Sequence, residues 1–75
     1  MTTLMWEAVA TDVDAVVAWA LSFHAEGMTA KEVYVSADDR VVMISHWSGE
    51  PPETLTPPAG SLVRDGHAWR FTLVR

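Results

Sequence analysis

The sequence predicts a small α+β protein in which one antiparallel sheet is covered on one face by one helix. Three observations predict this architecture. An apolar repeat with helical spacing is confined to residues 11–27, apolar runs of strand length lie on both sides of it, and a proline-rich stretch at 48–60 excludes regular structure there. The predicted order is therefore strand, helix, strand, strand, proline-rich loop, strand. At 75 residues, we expect a single domain, 1–75.

The first two elements follow from residues 4–27. Residues 4–10, LMWEAVA, are apolar at six of seven positions, as in a strand covered on both faces. Residues 11–27 form the predicted helix, with Thr11 or Asp12 as the N-cap and Gly27 as the left-handed terminator. Its core-facing side is predicted to hold Val13, Val16, Val17, Ala20, Leu21 and His24, with Phe23 at the edge.

An antiparallel hairpin is predicted for residues 31–47. Residues 31–36 alternate between apolar and polar, residues 36–40 are an Asp-rich turn, and residues 41–47 form the second strand. Val41, Met43, Ser45 and Trp47 share one side of that strand, and Val42, Ile44 and His46 share the other.

The last third of the chain is predicted to be a rigid loop followed by strand structure. Prolines exclude a regular helix or central strand over 48–60, and Leu55 is the only large apolar residue that can anchor the loop. Residues 61–75 are predicted to be either a strand pair or one long bent strand, and Asp65-Gly66 favours a two-residue hairpin turn. His67, Trp69, Phe71 and Leu73 share a face.

One helix can cover only one face of the sheet, so the other face is left open. The residues expected on it are Trp6, Val33, Val35, Trp47, Trp69 and Phe71. The chain is 49% apolar and contains four tryptophans. The core of so small a domain cannot bury all of these apolar side chains. An uncovered apolar sheet face commonly binds a second copy of itself, so we expect a homodimer.

Charge and composition exclude several classes of function. The net charge is −5 with only five Lys or Arg, so neither nucleic acid nor an anionic membrane surface is an expected partner. The absence of cysteine excludes disulfides and thiolate metal sites. No apolar run approaches the ~18 residues of a membrane helix, and no signal peptide is evident. We expect a cytoplasmic protein, and heavy use of Ala, Val, Asp and Arg suggests a GC-rich bacterial genome.

Several stretches together resemble a known family. The strand LMWEAVA, the helix DVDAVVAWALSFHAEG, the hairpin EVYVSADDRVVMISHWSGE and the closing HAWRFTLVR resemble the dimeric α+β barrel superfamily, and within it the small antibiotic-biosynthesis-monooxygenase-like domains. This resemblance implies a ferredoxin-like protomer whose sheet pairs with a second copy to form a barrel. Members include cofactor-independent oxygenases of aromatic polyketides and quinols, haem-degrading enzymes, and proteins with no known reaction.

The chain departs from the family pattern at two points. The family's second helix normally follows the tryptophan strand, and here the proline-rich loop 48–60 replaces it. In haem-degrading members that helix supplies the haem-ligating histidine, and an asparagine on the first strand is also used, whereas this chain has no asparagine. The resemblance therefore implies no haem and no other cofactor.

Five residues are the candidates for a site. His46 and Tyr34 are the catalytic candidates, as a base and as a hydrogen-bonding partner for a phenol. Trp47, Arg70 and Trp6 are the candidates for substrate binding. Each also has a structural interpretation, namely packing for the aromatic side chains and surface roles for His46 and Arg70. The three histidines lack ligand spacing, so no metal site is predicted.

Two classes of function remain open from the sequence. One is a non-catalytic dimeric module with an interaction or structural role, in which the aromatic side chains fill the dimer core. The alternative is a cofactor-independent monooxygenase or a binder of a small aromatic ligand. We favour the module, because the missing second helix removes one wall of the usual pocket.

Overall fold

In the computed structural model, which describes residues 1–75, four strands form one antiparallel sheet in the order β2-β3-β1-β4. The elements are β1 (Thr2–Val9), α1 (Val13–Ser22), β2 (Met28–Val35), β3 (Arg40–Trp47) and β4 (His67–Thr72). The helix packs across β2 and β3 on one face of the sheet. The predicted α+β arrangement of one sheet and one helix is confirmed.

The core lies between the helix and the face of the sheet that it covers. On β3, Val41, Met43, Ser45 and Trp47 have no exposed surface, and on β1, Leu4, Trp6 and Ala8 are buried. Val16 and Ala20 of the helix complete this layer and are fully buried. The predicted alternation of β3 is confirmed, and the Trp47 side of the strand is the side that faces the helix.

A row of aromatic rings runs through this covered side. Trp6 packs edge-on against Trp19 with ring centroids 5.1 Å apart, Trp19 lies 5.9 Å from Phe23, and Phe23 lies 6.4 Å from Trp47. The rings link β1, the helix and β3, at centroid separations typical of favourable aromatic pairs. Two of the four tryptophans, Trp6 and Trp47, are thereby buried within one chain.

The helix is shorter than the sequence predicted. Asp12 is the N-cap, and its side chain accepts a hydrogen bond of 3.1 Å from the Ala15 amide. The helix ends at Ser22, because Phe23 adopts an extended conformation. Gly27 is not its terminator and lies instead, with φ +91°, in the turn that leads into β2.

Lys31 satisfies the carbonyl groups at the end of the helix. Its ammonium group donates hydrogen bonds of 2.7 Å to the Leu21 carbonyl and 2.6 Å to the Phe23 carbonyl. This positive charge at the C-terminus is favourable for the helix dipole. The early end leaves His24 beyond the helix, where it is exposed, although it was expected to face the core. Leu21, also expected to face the core, lies within the helix and is 63% exposed.

Of the six residues predicted to lie on the uncovered face of the sheet, two do so and four do not. Trp69 and Phe71 do lie on it, as predicted. Trp6, Val33, Val35 and Trp47 lie on the side that faces the helix, because Trp6 and Val33 are both register partners of the buried Met43, and Val35 is the partner of the buried Val41. Directly opposed residues in an antiparallel pair point to the same face, so the register decides each assignment.

Residues 48–66 contain no helix and no strand, as predicted for 48–60, but the predicted hairpin at Asp65-Gly66 is absent. Residues 61–63 instead run antiparallel to the end of β1. The Ser61 carbonyl accepts a hydrogen bond of 2.8 Å from the Thr11 amide, Leu62 forms an isolated bridge with Ala10, and the Val63 amide donates to the Val9 carbonyl. Residues 61–63 and β4 therefore both pair with β1 instead of with each other.

The one helix, Val13–Ser22, is not long and apolar enough to cross a membrane.

Candidate functional site

The face of the sheet that has no helix over it forms a grid of side chains, and we refer to it as the open face. Three of its rows span all four strands and, read from β2 through β3 and β1 to β4, follow from the strand register. They are Ala30, His46, Thr3 and Phe71; Glu32, Ile44, Met5 and Trp69; and Tyr34, Val42, Glu7 and His67. Apolar and polar side chains are intermixed in these rows, which contain two histidines and two glutamates.

His46 is oriented from both sides of its ring. Its Nδ1 lies 3.2 Å from the Thr3 hydroxyl, and its Nε2 lies 3.3 Å from a carboxylate oxygen of Glu32. The His46 and Glu32 side chains are partly exposed, at 33% and 43%. The hydroxyl on one side and the carboxylate on the other can hold the imidazole ring in one orientation and support proton transfer.

The aromatic side chains of the open face lie at its two edges. Tyr34 on β2 is 53% exposed, whereas Trp69 and Phe71 on β4 are 42% and 52% exposed. β2 and β4 are separated by the two central strands, a distance of roughly 14 Å at the usual strand spacing. These rings therefore do not converge on one small molecule within a single chain.

The structure divides the five predicted site residues between the two faces of the sheet, and only His46 and Tyr34 lie on the open face. These two residues stand two rows apart, which is about 13 Å along the strands. Trp47 has no exposed surface and Trp6 is 3% exposed, so both are core residues on the opposite side of the sheet.

Arg70 anchors the proline-rich loop. Its guanidinium donates hydrogen bonds of 3.3 Å to the Glu50 carboxylate and 3.2 Å to the Pro52 carbonyl. It points to the covered side, because its register partner is the buried Leu4. The surface ion pair is the interpretation of Arg70 that agrees with these contacts.

A groove on the covered side was missed by sequence reasoning. It has a volume of about 710 Å³ and lies between residues 53–60 and residues 62–68, with Trp6 at its base. Arg64, Asp65 and Gly66 form part of its wall. The one sequence signal was Gly66, which we assigned to a hairpin turn, although its actual role is to let the backbone lie against the Trp6 indole.

No group of three or more histidine, aspartate or glutamate side chains has the arrangement of a metal site. Comparison of the chain with protein-family models, with curated proteins and with solved structures gave no match.

Proposed function

We propose that this chain is a homodimeric module with an interaction or structural role, and that two copies associate through their open faces. The observation that carries the proposal is the number of apolar side chains exposed on that face. Five of the nine large exposed hydrophobic side chains lie on it or continue its strands, namely Met1, Tyr34, Trp69, Phe71 and Leu73. Exposed apolar patches of this kind mark association surfaces in soluble proteins.

The small size of the core supports a partner. Only 12 of 75 residues are buried, and the chain has neither cysteine nor a metal-binding cluster. Chains this small commonly gain the missing stability from association. The accessible surface is 4875 Å², somewhat more than the roughly 4,600 Å² expected for a monomer of this mass.

A second copy is the occupant that fits the face best. Four strands span about 19 Å and eight residues about 26 Å, so the face covers roughly 500 Å² in projection. Side-chain relief brings its accessible area toward the ~800 Å² per partner of a standard interface. The face carries two glutamates, Glu7 and Glu32, and two histidines, His46 and His67. Arg40 lies on the same face and forms an ion pair of 3.7 Å with Glu7, so two identical faces can meet without opposing carboxylates only.

In this proposal the protomer is ferredoxin-like and the pair forms a dimeric α+β barrel. Support comes from the strand order β2-β3-β1-β4, in which the two central strands are β1 and β3. The proline-rich loop occupies the position where a second helix would connect β3 to β4. The proposed compartment is the cytoplasm of a bacterium.

A second candidate function, binding or oxygenation of a small aromatic ligand, is favoured by one observation. His46 is held between Thr3 and Glu32, which is the arrangement of an oriented base. None of the grooves in the single chain includes His46 or Tyr34 in its wall. This candidate therefore also depends on a second copy to enclose the site.

Thermal unfolding at several protein concentrations tests the proposal. For a dimer whose folding is coupled to association, Tm rises with protein concentration. Phe71→Ser on the open face should lower Tm and reduce its dependence on concentration. Leu21→Ser is the matched control, since Leu21 is 63% exposed but lies on the helix, and it should preserve the dependence. Equal behaviour of the two variants would contradict the proposal.

A further inference from the structure

The groove beneath the proline-rich loop has the size of a ligand site. Its volume of about 710 Å³ lies within the ~300–1,000 Å³ range of small-molecule pockets. Leu55, Pro57 and Leu62 provide apolar walls, and Trp6 lies at the base. The groove is on the opposite side of the sheet from the open face, so its occupancy does not depend on the proposed dimer.

Trp6 leaves a hydrogen-bond donor without a partner in this groove. The residue is 97% buried, since only 3% of its surface is exposed, yet its Nε1 makes no hydrogen bond within the chain, whereas Trp47 Nε1 donates to Ser45. Arg40 Nε is the only fully enclosed side-chain nitrogen or oxygen without a hydrogen bond. Trp6 Nε1 also makes none, so it is not fully enclosed and is open to the groove that Trp6 lines. Buried indole N–H groups usually find an acceptor.

Gly66 keeps this donor accessible. A Cβ added at Gly66 would lie 2.6 Å from Trp6 Nε1, closer than real Cβ atoms approach other atoms. Both residues line the groove. A side chain at position 66 would therefore cover the Trp6 N–H group, which glycine leaves open to the groove.

Arg64 is a second donor at the same groove. Among the five basic residues, Lys31 binds helix carbonyls, and Arg40 and Arg70 form ion pairs, whereas Arg64 has no carboxylate partner. An indole N–H and a guanidinium are donors only. A carboxylate is the acceptor that can serve both.

We propose that the groove binds a small amphipathic monocarboxylate. Its carboxylate accepts hydrogen bonds from Trp6 Nε1 and Arg64, and its apolar body lies against Leu55 and Leu62. Glu53 and Asp65 also line the groove and are exposed. Arg64 is the one cationic residue that lines the groove, and the two carboxylates repel further negative charge, so a ligand with a single carboxylate fits better than a dianion.

Phenylacetate and its neutral analogue phenylacetamide are the probes. The four tryptophans give four indole N–H signals in a nitrogen–proton NMR spectrum, and single Trp→Phe variants assign them. Phenylacetate should shift the Trp6 signal in a saturable way, with little change at Trp69, which reports on the open face. Phenylacetamide should bind about tenfold more weakly, because it loses one charge-assisted contact.

Arg64→Gln should weaken phenylacetate binding by about tenfold or more, because it removes the charged donor. Arg75→Gln removes the same charge outside the groove and is the matched control, with unchanged binding expected. A Trp6 signal that does not respond, a larger shift at Trp69 than at Trp6, or equal binding by the two arginine variants would overturn the proposal. If the Tm does not depend on protein concentration, the proposed dimer fails, but the expected phenylacetate binding is unchanged. Failure of the dimer proposal can therefore be distinguished from failure of the ligand proposal.

Discussion

Trp47 Nε1 donates a hydrogen bond of 2.9 Å to Ser45 Oγ inside the core, where neither residue has any exposed surface. The two residues are two positions apart on β3, so both side chains point toward the helix. A buried indole N–H needs an acceptor, and Ser45 supplies it from the same strand. This pair explains why a serine occupies the centre of an otherwise apolar row.

Ser45→Ala should lower the free energy of unfolding by about 1–3 kcal/mol, because the Trp47 indole N–H would stay buried without its acceptor. Urea denaturation at one fixed protein concentration measures the change. Ser22→Ala is the control, since Ser22 is exposed on the last turn of the helix, and its effect should stay within about 0.5 kcal/mol. Equal stability of the two variants would show that the bond contributes nothing.

Gly66→Ala should destabilise the fold by about 1–3 kcal/mol, because the new methyl group would overlap the buried Trp6 ring. The added Cβ would lie 2.6 Å from Nε1 and 2.8 Å from Cε2 of that ring. Gly49→Ala is a close control, since nothing lies within 4 Å of a Cβ at that position. Thermal melts compare the two, and a Gly66→Ala protein as stable as Gly49→Ala would mean that the segment 65–66 does not pack on Trp6.

Asp39→Gly should stabilise the β2–β3 turn by up to about 1 kcal/mol. Asp39 has a φ of 65°, the only positive φ of a non-glycine residue in the chain, and this left-handed conformation is strained for residues with a Cβ. Ala37→Gly in the same turn should instead destabilise, because it adds chain entropy without relieving a positive φ. Chemical denaturation of both proteins measures the two effects, and a loss of stability in Asp39→Gly would rule out strain at this position.

The Asp38 carboxyl should titrate below its usual value of 3.8, because a hydrogen bond from the Ser36 hydroxyl holds its pKa down, with help from the Arg40 charge. Since the pKa is lower in the folded state, this contact stabilises the fold above pH 3.8 and is lost as the pH falls through the lowered pKa. Carbon-detected NMR follows the titration. Ser36→Ala should raise the pKa of Asp38, whereas Ser22→Ala should leave it unchanged. An unaltered titration in Ser36→Ala would contradict the assigned cause.

The sequence pattern predicts the elements well where one side is continuously buried. The alternation of residues 41–47 correctly separates Trp47 from His46, because a strand with one buried face tolerates no shift in register. It does not predict which face the helix covers. That choice depends on pairing between strands distant in sequence, and only the register of Trp6 with Met43 assigns the tryptophan to the core.

Two other errors have tertiary causes. The helix was expected to continue to Gly27, but Lys31 from the next strand binds its last carbonyl groups near Leu21. Asp65-Gly66 has the composition of a hairpin turn, but Ser61 hydrogen-bonds to the start of the helix and Val63 to the end of β1, so the segment before the turn pairs with β1 and not with β4. In both cases, contacts between remote segments outweigh a local preference. The groove beside Gly66 is missed for the same reason.

Native mass spectrometry of the purified chain tests the central claim, that two copies associate through the open face, most directly. We expect the wild-type chain to appear at twice the mass of one chain, and the Phe71→Ser variant to shift toward the mass of a single chain at the same concentration. A wild-type chain found only as a monomer, or a Phe71→Ser variant as fully dimeric as wild type, would contradict the proposed association.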